Sequence, residues 1–303
     1  MNMPTEAFLT TLYTIVDDWY QQHAPTLLAG KTGAKPVFSD SEVITLSLAQ
    51  HWLGVPDERE FLRRVRNDWL PLFPRLVSQG QFNRRARSLC WLINRMRQHL
   101  VERLGLHEAP CQQEIRLIDG TPVHLRHWRR YGRGHLLLGE AALGHCASKK
   151  ETYYGFRLLA LTTLDGVITD FDLFSADLDE RECALDLLGG KRGLAVLGDK
   201  GFLDYRRQAV LQEDQGLLLL TPKRRNQAEQ NAPAWDALMN RVRRLIETVF
   251  AQAKDTFGLE RPGARSLWGT LSRVIAKITG MTLAAFCNKE QAEPPLRLAE
   301  FAF

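Results

Sequence analysis

The chain has 303 residues, 45% of them hydrophobic and 25% charged, a composition that allows a sizeable buried core and excludes an intrinsically disordered protein. Forty Lys and Arg against 35 Asp and Glu give a net charge of +5, which permits a polyanionic partner without requiring one. Five scattered cysteines exclude a disulfide framework and a zinc module, and without a signal or membrane-spanning pattern we expect a cytoplasmic protein.

The first hundred residues are predicted to be helical. Apolar residues recur at helical spacing between Phe8 and Trp19, and Ser39 with Glu42 forms a capping-box pattern ahead of a helix over 43–52. A further helix is predicted over 82–104, with arginines on one side and apolar residues on the other. We therefore expect an all-helical DNA-binding domain over 1–108.

Positive charge is concentrated in two segments, as binding to a nucleic acid would require. Residues 59–103 carry eleven Arg against three acidic residues, and residues 124–157 carry seven Lys or Arg against two Glu. Solvated helix faces are the alternative interpretation. The residues that we expect to contact DNA from these segments are Arg84, Arg85, Arg87, Arg126, Arg129, Arg130, Arg133, Lys149 and Lys150.

From residue 109 the pattern changes to short apolar runs that alternate with helices. Strands are predicted over 115–118, 156–163, 167–174, 194–197 and 217–221, with Asp165-Gly166 as a hairpin turn between the second and third. Helices are predicted over 179–188, 205–213 and 233–257. This order is that of a ribonuclease-H-like α/β domain over 109–303, a mixed sheet flanked by helices, with a C-terminal helix.

Two aspartates follow predicted strands. Asp119 ends the first apolar run ahead of an expected turn at Gly120-Thr121-Pro122, and Asp199 follows the run 194–197. Because ligands gather at the carboxyl ends of strands in α/β sheets, the two carboxylates are expected to meet if the strands are neighbours. Either aspartate alone is more often a turn or helix-cap residue.

A third acid comes from the long helix over 233–257. At about 100° per residue, Asn240, Arg243, Glu247 and Lys254 fall on one flank of its apolar stripe, a pattern that is usually a solvated face. Three carboxylates brought together repel one another unless a cation neutralises them, and oxygen ligands suit Mg²⁺ or Mn²⁺. The set Asp119, Asp199 and Glu247 therefore predicts a two-metal phosphodiesterase site, with Arg243 and Lys254 holding phosphates.

Five motifs give the chain a family resemblance. They are IDGTP at 118–122, ASKKETYYGF at 147–156, GDKGF at 198–202, RLIETVF at 244–250 and ARSLWG at 264–269. Together they resemble the Asp-Asp-Glu transposases of bacterial insertion sequences, and most closely the insertion sequence 982 family, from about residue 118 to residue 289.

The resemblance implies a catalytic role for Asp119, Asp199 and Glu247, a ribonuclease-H-like fold and magnesium, with two ions per site. It implies cleavage of double-stranded DNA at terminal inverted repeats and transfer of 3′ hydroxyl ends into target DNA by a homodimer that pairs the ends. Asn240 stands where related enzymes carry a tyrosine, and with Lys200, Arg243 and Lys254 it is expected to contact DNA. The alternatives are a metal-dependent nuclease that does not join DNA and a DNA-binding protein derived from a transposase.

Overall fold

The structure is a computed structural model that describes residues 4–29, 36–105, 114–130, 137, 139–146, 149–223 and 231–291. The described residues form two compact units. One contains the residues up to Leu100 together with those from Ala253 onward, and the other contains Val101–Gln252. This division differs from the predicted one, which assigned everything after residue 108 to a single catalytic domain.

The first unit is helical. Its elements are α1 (Thr5–Leu27), α2 (Asp40–Trp52), α3 (Glu58–Asp68), α4 (Gln79–Ser88), most of α5 (Cys90–Arg103) and α9 (Leu267–Glu290). The predicted capping box at the start of α2 is confirmed. The Ser39 hydroxyl accepts from the Glu42 amide at 3.1 Å, and the Glu42 carboxylate accepts from the Ser39 amide at 2.6 Å. Both bonds satisfy amides that the first helical turn cannot pair.

The predicted single helix over 82–104 is two helices. It is interrupted at Leu89, between α4 and α5. The Ser88 hydroxyl donates to the Arg85 carbonyl at 2.8 Å, and the Leu89 amide donates to the same carbonyl at 2.9 Å, so α4 and α5 remain joined by a helical hydrogen bond.

The C-terminal helix α9 belongs to the core of the first unit, where it packs against α2 and α4. Among the described helices, α9 is the one long and apolar enough to cross a membrane, with a mean hydropathy of 1.2 in its most apolar window. Of that window, 78% is buried inside the protein, as in the core helix of a globular unit.

The second unit is built on a mixed sheet with helices around it. Its strands are β1 (Glu114–Arg126), β2 (Ala142–Cys146), β3 (Glu151–Thr162), β4 (Ile168–Ser175), β5 (Leu194–Leu197) and β6 (Leu218–Leu220). Its helices are α6 (Glu180–Leu188), α7 (Tyr205–Gln215) and the part of α8 (Pro233–Phe257) that ends at Gln252. The prediction of a mixed sheet flanked by helices, preceded by a helical region, is confirmed.

The sheet has an antiparallel and a parallel part. Strand β3 pairs antiparallel with β1, β2 and β4, whereas β1 pairs parallel with β5, and β5 pairs parallel with β6. The predicted hairpin between β3 and β4 is confirmed: the Thr163 amide donates to the Val167 carbonyl at 2.9 Å, and Gly166 has the positive φ of 83° that such a turn requires.

Two details of the prediction were wrong. Strand β2 was not predicted, because its five residues carry no run of apolar side chains. The expected turn at Gly120-Thr121-Pro122 is instead part of β1, which continues to Arg126 along β3. Pairing with β5 ends at Leu117, so Pro122 lies where β1 has β3 alone as its partner among the described strands. A proline, which lacks an amide hydrogen, is tolerated in such an edge segment.

The core of this unit lies between the sheet and helices α6 and α7. Side chains from the central strands meet those of the helices there, and α6 thereby becomes fixed beside β3 and β4. The buried set is Ile118, Leu159, Leu161, Cys183, Ala184, Leu187, Leu188, Val196, Phe202, Leu211, Leu217 and Leu219.

Candidate active site

The two predicted aspartates lie next to each other. Leu117 on β1 faces Leu197 on the parallel strand β5, and Asp119 and Asp199 each follow two residues later. Asp199 also caps the short 3-10 helix Lys200–Phe202: its Oδ1 accepts from the Gly201 amide at 2.6 Å. The backbone of β1 holds Asp119 in a similar way, since Oδ1 accepts from the Gly120 amide at 2.8 Å.

Asp119 has an unusual ionisation. Burial raises the pKa of Asp119 to about 7, and the negative charges of Asp199 and Glu180 also act to raise that pKa. The Gly120 amide, which donates to the carboxylate, and the cationic Arg243 oppose this shift. Asp119 thus lies in a partly buried and negatively charged environment, in which a cation would be stabilised.

Glu247, the third predicted acid, is connected to Asp199 by the side chain of Arg243. One guanidinium nitrogen of Arg243, Nη2, lies 3.9 Å from Oδ2 of Asp199 and 4.0 Å from Oε1 of Glu247. Arg243 and Glu247 are one helical turn apart on α8, and the Glu247 side chain is 59% exposed. A cationic side chain therefore lies between the second and third predicted carboxylates.

The described part of the chain contains no preformed metal site, because no three His, Cys, Asp or Glu side chains in it are close enough to hold an ion. The chemistry of the donors nevertheless fits a hard divalent cation, since all three predicted ligands are carboxylates and the partly buried Asp119 is flanked by two further acids. The Arg243 guanidinium supplies part of the positive charge that such an ion would bring.

A fourth acid, which sequence reasoning missed, lies at the same place. A Cβ atom built on Gly120 would lie 3.0 Å from Oε1 of Glu180, and one built on Gly201 would lie 3.2 Å from Oε2. Glu180 is the first residue of α6, directly after the N-cap Asp179. Acidic residues are common in a first helical turn, so the sequence offers no signal that separates Glu180 from ordinary capping.

The other residues predicted around the site are solvent-facing. Lys200 lies exposed in the short helix that follows Asp199, and Asn240 and Lys254 are exposed on α8. Lys254 is counted with the first unit, whereas Asn240 and Arg243 belong to the second.

The arginines predicted in the first unit have unequal surroundings. Arg84 is exposed on α4. Arg85 is mostly buried: its guanidinium donates to Oδ1 of Asp40 at 2.6 Å and to the carbonyl of Phe38. Arg85 therefore connects α4 to the start of α2. Arg87 lines a cavity of about 870 Å³ that lies entirely in this unit.

Four arginines of the first unit line that cavity. Arg59, Arg265 and Arg273 line it together with Arg87. Arg265 precedes α9, and Arg273 lies in the second turn of that helix. The grouping could not be read from the sequence, because Arg59 and Arg87 are far from Arg265 and Arg273 along the chain. The two acids in the lining are already engaged: Asp57 caps α3, and the Glu58 carboxylate accepts from the amides of Gln79 and Asn83.

The second basic segment, residues 124–157, begins in the last residues of β1. Arg126 ends that strand, the guanidinium of Arg129 lies 5.3 Å from the ring of Trp128, and Arg130 belongs to the same short 3-10 helix. Lys149 and Lys150 are exposed in the turn before β3, where Lys150 has a positive φ of 51°. Arg133 lies outside the described residues.

One comparison with known proteins gives a match. A family model described as a transposase DDE domain matches residues 109–267, which is more than half of the chain and includes Asp119, Asp199 and Glu247. No curated protein and no solved structure matches the chain.

Proposed function

Since the chain belongs to the family of transposases with a DDE domain, we propose that it cleaves DNA at the ends of an insertion sequence and joins the freed 3′ ends to target DNA. The observation that carries this proposal is the position of Asp119 and Asp199, side by side beyond the paired residues Leu117 and Leu197. Binding a DNA phosphate and its metal ions is the chemistry that this pair of acids suits best.

We assign Asp119, Asp199 and Glu247 as the residues that hold magnesium, or manganese in its place. Two divalent ions held by these residues would supply activation of a water or a 3′ hydroxyl for attack and stabilisation of the leaving oxygen. Asp119 and Asp199 are fixed by backbone amides, so their carboxylates are already oriented. Arg243 is near both Asp199 and Glu247 and would release them to bind a DNA phosphate, since a planar guanidinium pairs well with phosphate oxygens.

We also propose a fold family, an insertion-sequence family and an oligomeric state for the chain. The strand order, in which the four strands of the antiparallel part, β1 to β4, precede the parallel-paired β5 and β6, supports a ribonuclease-H-like fold. The five motifs support the insertion sequence 982 family. We further propose a homodimer that pairs the two element ends in the cytoplasm, and a division of labour between DNA binding by the helical first unit and catalysis by the second unit.

We also propose where the DNA lies. Candidate contacts from the second unit are Arg126, Arg129, Arg130, Lys149, Lys150, Lys200, Asn240 and Arg243, and Arg133 is added from its sequence position. From the first unit they are Arg84, Arg87 and Lys254. Arg85, also predicted from the sequence, contributes less directly, because its guanidinium is bound to Asp40 and Phe38.

The proposed function is tested with labelled duplexes that carry the DNA flanking the reading frame, incubated with the full chain, Mg²⁺ and a supercoiled target. A transposase cuts at the terminal inverted repeat and yields a labelled strand joined to the target. Cleavage without joined products would identify a hydrolytic nuclease, and binding without cleavage would identify a DNA-binding derivative. Asp119→Asn serves as the inactive control.

A further inference from the structure

Glu180 is placed in the site by the beginning of helix α6. The preceding residue, Asp179, performs the capping: its Oδ1 accepts from the Arg181 amide at 2.8 Å, and its two oxygens bind the Arg181 guanidinium at 2.9 and 2.6 Å. Helix capping therefore does not occupy Glu180. Its partly buried carboxylate instead lies beside Gly120 in the middle of β1 and beside Gly201, shortly after the end of β5.

The surroundings of Glu180 are two glycines and two acids. A Cβ atom on Gly120 would lie 3.0 Å from its Oε1, and one on Gly201 would lie 3.2 Å from its Oε2, both closer than ordinary van der Waals contact. Gly120 adjoins Asp119, and Gly201 donates its amide to Asp199. The glycines thus keep open the space into which Glu180 projects, beside both aspartates.

Glu180 is only weakly neutralised by the protein itself. Nε of Arg157 lies 3.9 Å from Oε1 of Glu180, which is too far for a hydrogen bond, and Nη1 of Arg157 donates to the Leu178 carbonyl at 2.8 Å. Among the described residues, no donor makes a hydrogen bond to the Glu180 carboxylate. A partly buried acid beside two others, without such a donor, is costly unless a cation joins the group.

We propose that Glu180 is a fourth carboxylate of the catalytic site and binds a divalent ion together with Asp119 and Asp199. In the described residues the three carboxylates are spaced too widely to hold an ion as they stand, so the ion would draw them together. The inference rests on the proposed function, because it concerns the ions that this function uses. It assigns to Glu180 a role distinct from that of Glu247, which is largely exposed and reaches Asp199 only through Arg243.

Mn²⁺ binding to the full chain without DNA tests this proposal, measured by electron paramagnetic resonance and by the rise in melting temperature on adding Mn²⁺. Glu180→Gln keeps the shape of the side chain and removes its charge. We expect it to weaken Mn²⁺ binding about tenfold and to reduce the rise in melting temperature. Glu182→Gln is the matched control, since Glu182 lies on the same helix, is 61% exposed and pairs with Arg207 at 3.2 Å.

Two comparisons make the outcome decisive. If Asp119→Asn loses Mn²⁺ binding and cleavage while Glu180→Gln binds Mn²⁺ within twofold of the unmodified chain, the role of Glu180 is refuted and the proposed function stands. If Asp119→Asn itself still cleaves, the proposed function fails. Should Glu180→Gln not fold, Glu180→Asp replaces it. The carboxylate is then one methylene shorter, and weaker Mn²⁺ binding supports the proposal whereas unchanged binding refutes it.

Discussion

Asp119 and Asp199 each lie two residues beyond residues that face each other on neighbouring parallel strands, Leu117 and Leu197. Parallel strands advance in the same direction, so equal spacing from a paired position keeps the two carboxylates at the same level of the sheet. Their proximity is therefore built into the register of β1 and β5, and their mutual repulsion is a cost that the fold bears in the absence of metal.

The raised pKa of Asp119 predicts an unusual dependence of folding stability on pH. Since the folded-state pKa of Asp119 is raised to about 7, the metal-free folded chain keeps a proton there that the unfolded chain releases near its ordinary value of 3.8. Stability should thus be highest below about pH 4 for this group and fall as the pH rises toward 7. Asp119→Asn should remove the effect and stabilise the chain at pH 8 by up to about 4 kcal/mol, at about 1.4 kcal/mol for each unit by which the pKa is raised.

Urea unfolding in EDTA at several pH values between 4 and 8 measures this effect. The control is Asp255→Asn, which alters an exposed acid of α8 and should leave the pH profile unchanged. Equal stabilities of Asp119→Asn and the unmodified chain at pH 8 would show that Asp119 ionises normally.

The chemistry of the site was more predictable than its exact geometry. Asp119 and Asp199 could be found because each lies within two residues of the end of an apolar run, and Glu247 because helical spacing places it on the flank of a buried stripe. The expected turn after Asp119 failed because pairing with the long strand β3 outweighs the turn preference of Gly120 and Pro122. Glu180 could not be found because its approach to the aspartates depends on the packing of α6, which local sequence does not encode.

The domain division shows the same limit. Helix α9 follows the matched family region in the chain, yet it packs against α2 and α4. Its apolar positions indicate burial but contain no information on the partner. The grouping of Arg59 and Arg87 with Arg265 and Arg273 depends on this long-range packing and was likewise inaccessible from the sequence.

The cavity arginines are expected to contribute electrostatically to DNA binding. Replacing Arg59, Arg87 and Arg265 by Ala should reduce the slope of log affinity against log salt by about 0.9 for each DNA phosphate that is no longer neutralised. The measurement is fluorescence anisotropy with a terminal-repeat duplex over a range of KCl concentrations. Arg85→Ala provides the contrast, since it breaks the bond to Asp40 and should destabilise folding by about 1–3 kcal/mol. An unchanged slope in the triple variant would identify the cavity lining as ordinary solvated surface.

Arg243 is expected to position DNA rather than metal. Replacing it by Ala removes a cation that lies 3.9 Å from Asp199 and 4.0 Å from Glu247, so metal binding should be retained or strengthened. Cleavage should nevertheless slow by roughly one to two orders of magnitude, because a charge-assisted hydrogen bond to phosphate is removed. Titrating Mg²⁺ in the cleavage assay separates the two effects. A large increase in the Mg²⁺ concentration needed for half-maximal cleavage would assign Arg243 to the metal site instead.

The carboxylate on α8 gives the last prediction. Glu247→Gln nearly preserves the side-chain shape and removes one negative charge, and Glu247 is 59% exposed, so folding and terminal-repeat binding should be unaffected. Cleavage and strand transfer should fall by at least about a hundredfold, because the substitution lowers metal occupancy and transition-state stabilisation.

Asp199→Asn should reduce cleavage by a similar factor, and the double variant by little more, since the effects of residues that act as one unit are not additive. Asp255→Asn, on the same helix as Glu247 but about 80° further round, should be close to neutral. A pre-nicked terminal-repeat duplex in Mg²⁺ and in Mn²⁺ measures all four variants. Strand transfer by Glu247→Gln within a few-fold of the unmodified chain would mean that the third ligand is another residue, and Glu180 would then be the first to examine.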